Sequence, residues 1–151
     1  MSCQFGFSPG DAGSDHNVST HADTARLLEN IAEEVFDEEI GPKRLATFLE
    51  SPGHLMVIAV CGKHVIGQVA AYIHCHPDQA SDVYIDNLGV APPFQRRGVA
   101  RRLVDEVFAW GRTLGCHQVW LVTDTENHAA RALYEGRGAA AEAVVMFSYK
   151  L

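Results

Sequence analysis

The stretch Tyr84–Val104, YIDNLGVAPPFQRRGVARRLV, decides how this chain is read. It opens with a run that is apolar on both alternating faces, as in a central strand covered on both sides. Pro92 and Pro93 then stiffen the exit, and a helix begins near Gly98. Leu103, Val104, Val107, Phe108 and Leu114 recur at helical spacing, and Gly115 is placed to stop that helix. Arg96, Arg97, Arg101 and Arg102 crowd the turn in a chain whose formal net charge is −7. A helix N-terminus carries unpaired N–H groups and about half a positive charge. With small residues at Gly98 and Ala100 and guanidinium forks nearby, strand, glycine turn and helix describe a cradle for a diphosphate. Read from these residues alone, a plain turn with a solvated arginine face stands beside that reading.

Outward from this core the order is helices, hairpin, then strand–helix–strand–helix–strand, a mixed α/β domain. The first 16 residues read as a loose tail rich in Gly, Ser, Asp and Pro, ahead of a domain over 17–151, with a short strand near Asn17–Thr20. THADTARLLENIAEEVF predicts a helix through Leu27, Leu28, Ile31 and Val35 that Gly41 ends, and PKRLATFLE a second helix. HLMVIAV and HVIGQVAAYIH flank Cys61-Gly62-Lys63 as a hairpin. HQVWLVT reads as a strand, NHAARALYEGRG as a short helix capped by Asn127, and AEAVVMFSYK as a closing strand.

The 151 residues suit one domain with a real core. The acidity argues against nucleic acid as a partner and is compatible with a cationic one. With no apolar run of spanning length and no export pattern, no membrane association is expected, and the default location is cytoplasmic. The four cysteines then read as reduced thiols. HCHPD (His74, Cys75, His76, Asp78) lacks the spacing of a closed zinc site, so no metal is expected. The acids Glu33, Glu34, Asp37, Glu38 and Glu39 read as a solvated helix face or as a cation-binding rim.

Gln95-Arg96-Arg97-Gly98-Val99-Ala100 resembles the pyrophosphate motif Q/R-x-x-G-x-G/A of the GNAT superfamily of N-acetyltransferases. YIDNLGV resembles its central strand and NHAARALYEGRG its asparagine-and-tyrosine helix. The resemblance implies a GNAT fold: a mixed, mostly antiparallel twisted sheet flanked by helices. It implies acetyl-CoA as co-substrate, its pyrophosphate on the main chain of Gln95, Arg96, Arg97, Gly98, Val99 and Ala100, with an arginine such as Arg101 at the 3′-phosphate. Leu88, Gly89 and Val90 would pair with the pantetheine arm, and Asn127 would touch it. Tyr134 would protonate the departing sulfur; read without the family, Tyr134 is an amphipathic core tyrosine and Asn127 a helix cap. Asp86 is the candidate general base, with another acid, such as Glu142 or Asp124, or a water chain as the alternatives. The chain looks similar to the aminoglycoside 3-N-acetyltransferase branch, whose acid stands one position later, at Asn87; on a regular strand that offset points Asp86 to the other face.

The implied activity is acetyl transfer by direct attack of a small aminoglycoside- or polyamine-like amine, with a homodimer as the expected assembly. Acetylation of a protein lysine or N-terminus, or acetyl-CoA sensing without catalysis, are the other readings.

Overall fold

A computed structural model describes the backbone of residues 3–9 and the whole of residues 25–151. Five strands, β1 (Cys3–Pro9), β2 (His54–Cys61), β3 (His64–His74), β4 (Asp82–Val90) and β5 (Gln118–Trp120), form one sheet in the order β1-β2-β3-β4-β5. β1 through β4 pair antiparallel, and β5 runs parallel to β4. Three helices accompany them: α1 (Pro42–Glu50), α2 (Val99–Thr113) and α3 (His128–Glu135).

The unbroken apolar runs of β2 and β3 follow from burial on both faces. On one face Leu55, Val57, Val69, Val83 and Ile85 pack against Leu103, Val104 and Val107 of α2. On the other, Met56, Ile58 and Val65 meet Leu28, Val35 and Leu49, the last from α1. Leu103 is fully buried, so truncating it to alanine should cost about 2–5 kcal/mol. The β2–β3 hairpin turns through Gly62 at φ 65°, as its sequence predicts.

Three expectations are corrected. Residues 3–9, read as part of a loose tail, are a strand paired along β2; β2 exposes a free edge that such a segment can satisfy. The segment Asn17–Thr20 lies outside the described residues. The long first helix does not form over the described residues: helical structure there is confined to 25–27. Beyond it, Val65 N–H donates to the Asn30 carbonyl and Ala32 N–H to that of Val65, so bonds to β3 replace those of a helix. The closing strand AEAVVMFSYK pairs with nothing among the described residues, and Val145, Met146, Phe147 and Tyr149 stand exposed. A strand exists only where an edge accepts it, and apolar content alone cannot supply one.

Candidate active site

β4 pairs with β5 only at Asp82–Tyr84. From Ile85 to Val90 the side of β4 facing away from β3 has no strand beside it among the described residues, leaving backbone groups open along a notch. At the end of that notch the chain makes a 3₁₀ turn at Pro92–Phe94, and the Gln95 side-chain amide donates to the Val90 carbonyl at 2.9 Å, tying the loop to the strand. Arg96 takes φ 56° and Gly98 φ 82°. Two left-handed residues within three positions turn the backbone into α2. Gly98 is the N-cap of α2 and supplies no side-chain bond to the helix's first N–H groups. Those amides therefore face outward beside Arg96, Arg97 and Arg101, all exposed. Arg97 lies over the Phe94 ring at 5.7 Å, which positions its guanidinium without neutralising it. Val99 is buried beneath the turn and Ala100 half-buried, so both contribute main chain rather than side chain to this surface.

α3 carries the next candidate residues. Asn127 caps it, its side-chain oxygen accepting from the Ala130 N–H at 3.1 Å, so the capping role is real. Tyr134 packs at the margin of the α2-side core, and burial pushes its phenol above the ordinary tyrosine range. Ile85, Leu121 and Tyr134 share the wall of a cavity of about 320 Å³ between α2, β5 and α3. Arg137 pairs with Asp105 and lies over the Phe108 ring at 5.0 Å, fastening the end of α3 to α2.

The far face carries the acids. The β3–β4 register runs Ala70 to Asn87 and then Ala71 to Ile85, so Asp86 is an unpaired extra residue, a β-bulge. The bulge shifts the alternation of β4. Val83 and Ile85 face α2, and so do Leu88 and Val90. Asn87 and Gly89 turn to the opposite face, where Asn87 donates to Asp37 at 2.7 Å and accepts from Gln68. Asp86 is exposed, and its charge, after burial, helps to push the Tyr72 phenol up. Tyr72 belongs to a stack with Tyr84 and His54 on the α1 face. Asp86 and Asn87 thus both lie toward the α1 face, and the opposite-face objection drawn from a regular strand does not hold.

The segment around the acidic cluster reaches this face as well. Gln68 donates to the Val35 carbonyl at 3.3 Å, and a Cβ at Gly89 would collide with that carbonyl. The glycine is required by this close approach. Asp37, which Asn87 holds on this face, is legible in the sequence only as one member of a charge run. Its contact with Asn87 spans 50 residues, and no local signal carries it. Asp124 and Glu142 are exposed, and no side-chain bond joins either to this face among the described residues.

A family model described as acetyltransferase (GNAT) family matches residues 23–139, well over half of the sequence. The chain belongs to the GNAT acetyltransferase family. Aminoglycoside N(6′)-acetyltransferase type 1 of Salmonella typhimurium strain LT2 is 31% identical over 61 residues, 40% of this chain and 42% of that protein. The chain thus spans about two-fifths of the length of this curated relative. An aminoglycoside acetyltransferase structure from an uncultured soil metagenomic sample superposes with a TM-score of 0.78 at 22% identity, covering 100% of this chain and 99% of that one, a likeness of fold. The structure of AAC(6′)-Iy in complex with a bisubstrate analogue, CoA-S-monomethyl-acetylneamine, gives a TM-score of 0.67 at 26% identity over 78% of this chain and 84% of that one. These similar proteins are of the N(6′) type in the two cases where the position is stated, whereas the sequence resemblance was drawn to the 3-N branch.

Proposed function

We propose that this GNAT chain transfers an acetyl group from acetyl-CoA to a primary amine of a small, cationic, aminoglycoside-like acceptor. The observation that carries the reading is the notch where β4 leaves β5, with bare helix amides and arginines at one end and, at the other, Ile85, which shares a cavity with Tyr134. The diphosphate takes the N–H groups of Gln95 to Ala100, Arg101 serves the 3′-phosphate, and the pantetheine arm adds to the open side of Leu88, Gly89 and Val90 as an extra strand would. The cap leaves the Asn127 amide nitrogen for the arm.

The acceptor enters from the acidic face. Its ammonium gives a proton to a carboxylate, Asp86 or the Asn87-held Asp37, directly or through water. The neutral amine attacks the thioester carbonyl carbon, the adduct's nitrogen gives its extra proton to water, the tetrahedral oxyanion collapses, and the carbon–sulfur bond breaks. Tyr134 donates its phenolic proton to the departing thiolate; a buried phenol kept neutral suits that task.

A homodimer completes the molecule in this reading. The unpaired segment at 144–149 exposes a run of apolar side chains, and β5 is a three-residue edge strand with Trp120 and Val122 exposed beside it. A second copy offers each segment the edge it lacks. The cytoplasm, which supplies acetyl-CoA and keeps Cys61, Cys75 and Cys116 as thiols, is the fitting location. No helix among the described residues is long and apolar enough to cross a membrane.

Incubating the protein with acetyl-CoA and a mixed panel of aminoglycosides and polyamines, followed by mass spectrometry, tests the reading. One added acetyl group on an aminoglycoside is expected. Unmodified small amines in the presence of bound acetyl-CoA would reject the acceptor class.

A further inference from the structure

At the end of the sheet remote from the cofactor notch, three chain segments bring imidazoles onto one buried carboxylate. His74 closes β3, and Asp82, its cross-strand partner, opens β4. His76 follows in the connecting loop, and His117 immediately precedes β5. Asp82 is only 4% exposed. Its Oδ2 stands 3.3 Å from His76 Nε2 and accepts from Gln118 Nε2 at 3.1 Å. His117 Nδ1 lies 3.0 Å from Oδ1, yet the angles make no hydrogen bond, and Oδ1 is buried without a donor among the described residues. No Lys or Arg pairs with this carboxylate among the described residues. A buried carboxylate with imidazoles around it, no lysine or arginine beside it and one oxygen lacking a donor among the described residues leaves room for a bound cation.

We infer that His74, His76 and Asp82 bind a divalent transition-metal ion of the zinc class, with His117 beside the second carboxylate oxygen. One donor atom from each of the three lies within 4.8 Å of the others. A point therefore exists no more than about 2.8 Å from all three, and closing to zinc bond lengths of about 2.0–2.2 Å needs movements well under an ångström. Imidazole and carboxylate donors select zinc, nickel or copper over magnesium or calcium. The His74 and His76 rings already meet, tilted, with centroids 4.3 Å apart, and His74 also lies against Trp120 of β5. The ion would staple the β3–β4 loop to the stretch where β5 pairs with β4. The sequence pattern His74-Cys75-His76-Pro77-Asp78 hides this, because its carboxylate is Asp82, four residues farther on and brought back by the sheet.

The site lies about 25 Å along β4 from Val90, by strand rise alone, so the ion would stand away from the Gly98 turn, although His117 and Gln118 line the cavity that Tyr134 shares. The experiment is calorimetric titration of the chelator-treated full chain with ZnCl₂, alongside thermal melting and the visible spectrum with Co²⁺. One ion per chain and a rise in Tm are expected. His74→Ala, at an exposed position that leaves the core intact, should weaken the zinc affinity at least tenfold and remove the Tm gain, as should His76→Ala. His64→Ala, at an exposed histidine away from the cluster, should change neither. Absence of stoichiometric binding would overturn the inference. So would affinity indifferent to both cluster variants, or a Co²⁺ thiolate charge-transfer band that survives them, which would move the ion to cysteine.

Discussion

Gly98 and Gly62 make a matched pair of probes for the diphosphate cradle. Both take positive φ, 82° and 65°, and an added Cβ meets nothing within 4 Å at either. Alanine at either position therefore costs conformational strain and no collision, about 1–2 kcal/mol. In a chain of this size that lowers Tm by about 2–8 °C. The two differ in what the open space is for. At Gly62 it is solvent around a hairpin. At Gly98 it is the surface that Gln95–Ala100 would present to the diphosphate, where a methyl group forces the anion off at least one main-chain N–H. A lost hydrogen bond to a charged group is worth about 1.5–3 kcal/mol, so acetyl-CoA affinity should fall about 10- to 150-fold in Gly98→Ala and stay put in Gly62→Ala. Thermal melts and calorimetric titration with acetyl-CoA read both quantities. Equal destabilisation with equal, unchanged affinity would refute the cradle, because it would make Gly98 a turn residue like any other.

The other variants separate the chemical roles. Tyr134→Phe should lower kcat about 10²- to 10⁴-fold with acetyl-CoA affinity nearly unchanged, measured by product mass and calorimetry; unchanged turnover would return Tyr134 to the core. Because burial raises that phenol, the proton it donates is present below pH 10 and is lost only as pH rises through its elevated value. The part of the folding stability that depends on it runs the same way, so wild type should lose stability above about pH 10 more steeply than Tyr134→Phe in denaturant titrations. Asp86→Asn and Asp37→Asn should each be assayed across pH: the one that carries the base loses kcat/KM and its acidic limb, and a flat response from both would move the base to solvent. Phe147→Asp should shift the protein from dimer to monomer in light scattering at micromolar concentration, and a wild-type monomer would exclude the exchanged-edge assembly.

What could be read from the sequence was what neighbouring residues determine together. The β2–β3 hairpin, α2 with its Leu103–Val107 stripe, the Asn127 cap and the glycine turn are all settled within a few positions, and each forms as expected. The misreadings share a different cause. Ile31 sits at helical spacing, but the start of β3 offers its neighbours a backbone partner 34 positions away, and the helix yields. Cys3–Pro9 looks like tail until the β2 edge is in place. The run at Ala141–Lys150 has strand composition and lacks a partner in its own chain among the described residues. Pairing partners of this kind lie outside any local window.

The bulge at Asp86 joins the two halves of the site. On a strictly alternating β4, placing Val83 and Ile85 against α2 would send Asn87 and Gly89 to α2 as well, and put Leu88 among the acids. Inserting one unpaired residue reverses this beyond Ile85. Leu88 and Val90 then line the α2 side up to the Gly98 turn, while Asn87 meets Asp37 and Gly89 admits the Val35 carbonyl. The same strand thereby serves an apolar face at both ends and an acidic face in the middle, beside the stretch where it has left β5. Deleting Asp86 would therefore remove the carboxylate and the bulge together. Asn87 would follow Ile85 directly and keep the α1 face, with Leu88 still toward α2, so the deletion should melt close to Asp86→Ala. A deletion that unfolds where Asp86→Ala stays folded would mean that the faces beyond Ile85 are not set by the count of residues in the strand.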